Sequence, residues 1–190
     1  LAKIHYNITN LNTPQVDFAK QFSASQPNVV IINSEKSPYL NKVFEKLDLL
    51  RKANPNINIS MYGYNEWFMY QDYNIDNYFK YDVYIPSTYY YNKAAKRTEA
   101  LEKQYINKYD EPMKDSYIPH FAIVGYDQAQ FFIRGIKNKG KNFKGTSTEV
   151  NYVPLQTRYN FEHIGNGGYI NNHFQLVHFK PNKTMENLVY

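Results

Sequence analysis

Over the first 86 residues, short apolar runs alternate with stretches in which apolar residues recur every third or fourth position. Lys3–Thr9 alternates in strand fashion. Thr13 and Pro14 then supply a cap and a first-turn proline for a helix carrying Val16, Phe18, Ala19 and Phe22. Val29–Ile32 is a continuous apolar run, short enough for a buried parallel strand. Ser37 and Pro38 repeat the helix-start signal, and Leu40, Val43, Phe44, Leu47 and Leu50 form one stripe until Asn54 and Pro55 stop it. Ile57–Tyr62 predicts the next strand, Gly63 breaks it, Tyr64–Tyr70 opens a further helix, and Val83–Pro86 predicts a fourth strand.

Strands separated by helices in this way predict right-handed crossovers and a parallel sheet. The expected fold class is therefore α/β, a mainly parallel, doubly wound sheet. Two longer helical stretches follow, Ala94–Tyr109 and Pro119–Lys139, with no strand between them. Leu155–Ile164 and His173–Phe179 then alternate on either side of Gly165, Asn166, Gly167 and Gly168, which predicts a C-terminal antiparallel hairpin. The expected organisation is one α/β domain in three sections: a core over 1–91, extra helices over 92–145, and the hairpin with its tail over 146–190.

Composition narrows the function classes. The chain has 190 residues, 43% of them hydrophobic, with 20 Tyr and 12 Phe but no Cys. A chain of this length buries roughly 70% of its unfolded surface without a disulfide or metal staple. Without Cys there is no thiolate nucleophile and no cysteine zinc site. The 22 basic residues outnumber the 17 acidic ones, yet they are spread out except for Lys137, Lys139, Lys141 and Lys144 in a Gly-punctuated turn, so no nucleic-acid module emerges. No run of about 20 apolar residues predicts a membrane span. The first ten residues lack the charged start and apolar core of a signal peptide, so any such segment is expected upstream of Leu1. His5, His120, His163, His173 and His178 form no HExxH, and neither a GxSxG elbow, a phosphate loop nor a GxGxxG is present. Adjacent acids such as Asp110 and Glu111 diverge on any regular element. The reading is of no catalytic constellation, no metal and no cofactor.

In open α/β sheets ligands bind beyond the carboxyl ends of the strands, which singles out the loops Asn33–Pro38, Gly63–Trp67 and Ser87–Tyr91, all rich in Ser, Asn and Tyr. Trp67, the only Trp, reads either as an anchor packed on the sheet or as an aromatic wall for a small ligand. The strings MYGYNEW (Met61–Trp67), FAIVGYDQAQFFIRGIKNKG (Phe121–Gly140) and LQTRYNFEHIGNGGYINNHFQLVHFKP (Leu155–Pro181) resemble the carboxy-terminal half of type I periplasmic-binding-protein-like domains. The similar branch is the one in Bacteroidetes cell-envelope proteins that often carry a LysM module.

That resemblance implies a periplasmic or cell-envelope location and a non-enzymatic cleft for a small polar solute such as an amino acid, a peptide or a cell-wall fragment. It implies that Ser34, Ser37, Tyr64, Glu66, Trp67, Tyr89, Tyr126 and Asp127 line the cleft, with Asp127 meeting an amino group; on the residues alone, Asp127 reads equally as a first-turn carboxylate favoured by the helix dipole. It also implies a first lobe preceding Leu1. Leu101, Tyr105, Ile106, Phe121, Val124, Phe131, Phe132 and Ile136 are then expected to fold back on the remaining sheet or to pack on another chain, in the latter case as a homodimer through residues 94–139. The alternative reading is an interaction module of a peptidoglycan-associated protein that has lost its ligand.

Overall fold

A computed structural model describes residues 6–92, 95–113 and 119–189. The chain divides into two compact units, Leu1–Pro86 with His178–Glu186, and Ser87–Val177 with Asn187–Tyr190. The elements in order are α1 (Gln15–Ala19), β1 (Asn28–Ile31), α2 (Ser37–Ala53), β2 (Ile59–Tyr62), α3 (Gln71–Lys80), β3 (Val83–Ser87), α4 (Lys96–Tyr109), α5 (Phe121–Lys139), β4 (Phe161–His163), β5 (Tyr169–Asn171), β6 (Gln175–Phe179) and β7 (Met185–Val189). A 3-10 turn, Asn65–Tyr70, leads into α3. A mixed five-stranded sheet runs in the order β1-β2-β3-β6-β7, and β4 and β5 make a separate antiparallel ribbon.

β1, β2 and β3 are parallel, with Val30 opposite Met61 and Met61 opposite Val83. The order of these three does not reverse. Alternating strands and helices call for right-handed crossovers but leave their direction across the sheet open; crossovers that all advance one way put their helices on one face. The burial pattern fits such one-sided cover. Ile59, Met61, Val83 and Ile85 are buried on one side together with the stripe Leu40, Val43, Phe44, Leu47 and Leu50 of α2. Phe44, Tyr78 and Phe179 join ring to ring in that core. On the other side, Val29 is 60% and Ile31 72% exposed.

Two expected elements differ. Lys3–His5 lie outside the described residues, and Tyr6–Thr9 form no strand and are exposed. The hairpin around Gly165–Gly168 exists, but its strands are Phe161–His163 and Tyr169–Asn171, not Leu155–Ile164 and His173–Phe179. Gln175–Phe179 instead joins the five-stranded sheet, burying Gln175, Val177 and Phe179 on one side. Alternation determines which side chains share a face; it leaves the partner strand undetermined.

The second unit is built around α5. Phe131 packs with Val150 and Tyr159, and Phe143, Tyr152 and Phe161 close over them. Gly135 faces this cluster for a steric reason, since a Cβ there would stand 2.2 Å from the Phe143 ring. In α4 only Thr98 is buried, while Leu101 and Tyr105 are half-buried.

Candidate functional site

β1 ends at Ile31, and Ile32, Asn33 and Ser34 carry the chain toward α2. A cavity of about 510 Å³ opens at this strand end, lined by that loop, by Thr9–Asn12, and by Tyr39 and Lys42 from the first turns of α2. Ile31, Ile32 and Leu11 supply its apolar surface, and Thr9, Asn10, Asn12, Asn33, Ser34 and Tyr39 its amides and hydroxyls. The Thr9–Asn12 wall is held in shape by short-range chemistry. The Asn12 N–H donates to Asn10 Oδ1 at 2.8 Å, and the Thr13 N–H to the Asn10 carbonyl at 3.0 Å. Lysines of α2 then pin the segment to the helix: Lys42 Nζ donates to Asn12 Oδ1 at 2.8 Å and Lys46 Nζ to the Thr13 carbonyl at 2.7 Å. Across the opening, Ser34 Oγ accepts from the Lys36 N–H at 3.3 Å.

Among the described residues no carboxylate and no imidazole lines this cavity. Its single cation, Lys42, is hydrogen-bonded to a neutral amide. The first turn of α2 has no acidic residue either, so the positive end of the helix adds to Lys42. Such a lining donates and accepts hydrogen bonds and favours an anionic group.

Of the residues singled out by sequence, Ser34 lines the cavity, and Ser37 opens the adjoining helix. Tyr64, Glu66 and Trp67 lie beyond β2. Trp67 is fully buried, stacked against Tyr78 with centroids 6.2 Å apart, and a Cβ on Gly63 would come within 2.3 Å of its ring. The Gly63–Trp67 spacing is thus a packing device, and the anchor reading of Trp67 is the one the structure displays. Tyr64 tilts against that indole, and Glu66 points to solvent.

Tyr89, Tyr126 and Asp127 belong to the second unit. Tyr89 bridges to Thr157, and Tyr126 is exposed. Asp127 is fully buried in the second turn of α5, and both carboxylate oxygens are occupied. Oδ1 accepts from the Tyr152 hydroxyl at 2.7 Å and the Leu155 N–H at 2.9 Å; Oδ2 accepts from the N–H groups of Gln156 and Thr157 at 2.8 and 2.9 Å. Burial, reinforced by this carboxylate, pushes the Tyr152 hydroxyl well above its usual range. Asp127 fastens the 152–157 loop to α5.

No family model and no curated protein matches the chain.

Two polar groupings escape sequence reasoning. In the first unit, Asp82 holds a left-handed backbone at φ 49°, and its carboxylate accepts from Ser60 Oγ at 2.6 Å and meets His178 Nε2 at 2.7 Å. The carboxylate sits between the hydroxyl and the imidazole, so the serine gives its proton toward Asp82 and is not activated by the histidine. His178 also stacks on Tyr84 at 3.9 Å, and Lys180 holds the neighbouring Glu186 carboxyl below its usual range. In the second unit, His120, Gln156, Gln175 and Asn187 form a chain of amide contacts, from the His120 N–H on Gln156 Oε1 at 3.0 Å to Asn187 Nδ2 on Gln175 Oε1 at 2.6 Å. Neither grouping has a local sequence signature, because its members lie 19 or more residues apart except for Gln175 and Asn187.

Proposed function

We propose that this chain is a non-enzymatic solute-binding domain of a cell-envelope protein, similar to one lobe of the type I periplasmic-binding-protein-like fold. It takes a small polar solute carrying a carboxylate, such as an amino acid, a short peptide or a cell-wall fragment, at the carboxyl end of β1. The observation that carries the reading is the cavity of about 510 Å³ with an amide and hydroxyl lining and, among the described residues, Lys42 as its one cation. Its size falls within the ~300–1,000 Å³ of small-molecule sites. Its place at a strand end is where parallel sheets bind ligands. The envelope location and the doubly wound ancestry rest on the resemblance of Met61–Trp67, Phe121–Gly140 and Leu155–Pro181. The second reading, an interaction module, is favoured by one feature, the apolar outward face of α5.

Thermal unfolding across a panel of amino acids, short peptides and muropeptide fragments tests the proposal. A ligand at about 100 times its Kd adds roughly 2.7 kcal/mol, which for a protein of this size is about 5–11 °C in Tm. Lys42→Met is expected to remove the shift for carboxylate-bearing ligands, and Asn33→Ala to weaken it. The absence of any shift across the panel, or a shift that Lys42→Met leaves intact, overturns the assignment to this cavity.

A further inference from the structure

α5 has one face that the chain buries and a second, apolar face that it leaves exposed. Wound at about 100° per residue, Phe121–Lys139 places Ile123, Asp127, Phe131 and Gly135 on its inner side, where all four are buried. On the outer side Gly125, Tyr126, Ala129, Phe132, Ile133 and Ile136 fill an arc of about 120°, free of charged residues over about three turns. All six are exposed, Ile133 at 66% and Ile136 at 58%. A helix on a protein surface ordinarily turns a polar face outward, and this outer face is not polar. With large side chains contributing ~150–250 Å² when fully bare, these exposures leave on the order of 500 Å² of apolar surface on one helix face, at the upper range for a lone soluble chain.

We infer that this face is the interface of a homodimer, in which α5 pairs antiparallel with α5 of a second copy about a twofold axis at Ala129. The order of side-chain sizes points to a second copy. With Ala129 on the axis, Gly125 of each copy faces Ile133 of the other, Ala122 faces Ile136, and Tyr126 lies beside Phe132. At the flanking positions Gly125 and Ala122 each meet an isoleucine, Ala129 meets its own copy on the axis, and the match holds in both directions, as an isologous contact requires. Gly125 is the second indication. Glycine is a poor helix former, and nothing within the chain calls for it there: a Cβ at 125 meets no atom within 4 Å. Gly135, by contrast, is required by Phe143. The dimer gives Gly125 a role as the hole that receives Ile133. Two such faces together remove on the order of 1,000 Å² from water, the level at which specific interfaces begin.

Sedimentation equilibrium of the whole chain between 1 and 100 μM tests the inference, with dimer as the expected species. Higher salt should tighten it, because the formal charge of +5 on each copy opposes association. Ile133→Glu substitutes an exposed position, and its expected effect is at least a 100-fold weaker dimer with an unchanged circular dichroism spectrum. Gly125→Ala is expected to raise the Tm of the dilute monomer while weakening the dimer about tenfold. Because the chain has no cysteine, Ala129→Cys introduces a lone thiol on the axis, and mild oxidation should cross-link it to its mate. Mixing Ala122→Cys with Ile136→Cys should cross-link the two proteins to each other, whereas Ala122→Cys alone should not cross-link, which fixes the antiparallel direction. A monomer at 100 μM, association indifferent to both Ile133→Glu and Gly125→Ala, or cross-linking of Ala122→Cys to itself overturns the proposal. Binding of the wild-type monomer to anionic lipid vesicles would assign the same face to a membrane surface and overturn it as well.

Discussion

Replacing Asp127 by asparagine changes one buried oxygen into an amine with almost no change in shape. The carboxylate accepts four hydrogen bonds, two on each oxygen, and three of the donors are consecutive backbone N–H groups, those of Leu155, Gln156 and Thr157. An amide has one oxygen to offer. Its better orientation keeps that oxygen on Gln156 and Thr157 and turns the NH2 toward Tyr152 and Leu155. The Tyr152 hydroxyl then rotates and accepts; the Leu155 N–H has no such freedom and is orphaned. An orphaned buried donor costs about 1–3 kcal/mol, and the two retained bonds drop from charge-assisted to neutral strength, about 1 kcal/mol each. The expected loss for Asp127→Asn is thus about 3–5 kcal/mol. Asp127→Ala, which orphans three N–H groups, should lose more and reach a large fraction of the ~5–15 kcal/mol that holds a domain together. Urea unfolding followed by circular dichroism gives the total, and hydrogen exchange at the amides of Leu155, Gln156 and Thr157 shows where it is lost. A midpoint equivalent to less than 0.5 kcal/mol from wild type, with those amides still protected, would refute the reasoning about the loop. If that stable variant had also lost solute binding, the cleft role that the family resemblance implies for Asp127 would stand instead.

Two further outcomes are expected. Gly63→Ala should destabilise the first unit by about 1–3 kcal/mol in urea unfolding, because the new Cβ would stand 2.3 Å from a fully buried indole that has no room to retreat; a variant as stable as wild type would show that Trp67 moves freely. Burial, with the Arg158 charge added, lowers the His173 imidazole below its ordinary value. A group whose folded pKa is depressed stabilises above its unfolded value, about 6.5, and that contribution fades as pH falls toward the folded pKa. Stability should therefore drop between pH 7 and pH 5, and His173→Gln should flatten that slope; identical slopes for the two proteins would exclude the histidine. The losses tied to Asp48 and Glu186, both held below the usual carboxylate range, belong to a separate window below about pH 4.

Local pattern carried α2 and the strands β1, β2 and β3 because each is determined by its own residues. Leu40, Val43, Phe44, Leu47 and Leu50, expected as one stripe, are the five buried positions of α2. What spans distance was not legible. The partner of Gln175–Phe179 depends on which edge of the sheet is open when it arrives, and its alternation is silent on that point. The latch on Asp127 uses backbone N–H groups nearly thirty residues further on, and backbone donors leave no mark in a sequence. The Asn33–Ser34 side of the cavity followed from the strand-end rule, whereas its opposite wall, Asn10–Asn12, lies just past a segment read as a strand. A repeated Asn and a Thr there form a turn that competes with pairing to β1.

The sequential order of β1, β2 and β3 bears on where a ligand is held. A doubly wound sheet makes its crevice where the strand order reverses, between two central strands. Three strands laid down in one direction have no such point, and the face opposite the α2 stripe offers the alternative platform. That face is already engaged with itself. Tyr62 stacks on Tyr84 at 5.1 Å and 11°, and Tyr84 stacks on His178 at 3.9 Å and 12°, so the rings use their flat faces on one another and turn their edges outward. Edges of this kind make poor seats for a solute that binds by stacking, and Asp82 beside them is taken by Ser60 and His178. In the first unit, polar groups beyond Ile31 remain available to a small molecule: β1 is the edge strand there, and Asn33, Ser34, Tyr39 and Lys42 surround a space of suitable size. A bound solute would therefore sit at the rim of the sheet and cover part of Ile31, whose 72% exposure then has a purpose. Ile31→Ser should weaken binding several-fold while leaving the Tm of the free protein within about 2 °C of wild type, since an exposed side chain contributes little to the core. Unchanged affinity in that variant would place the solute elsewhere on the domain.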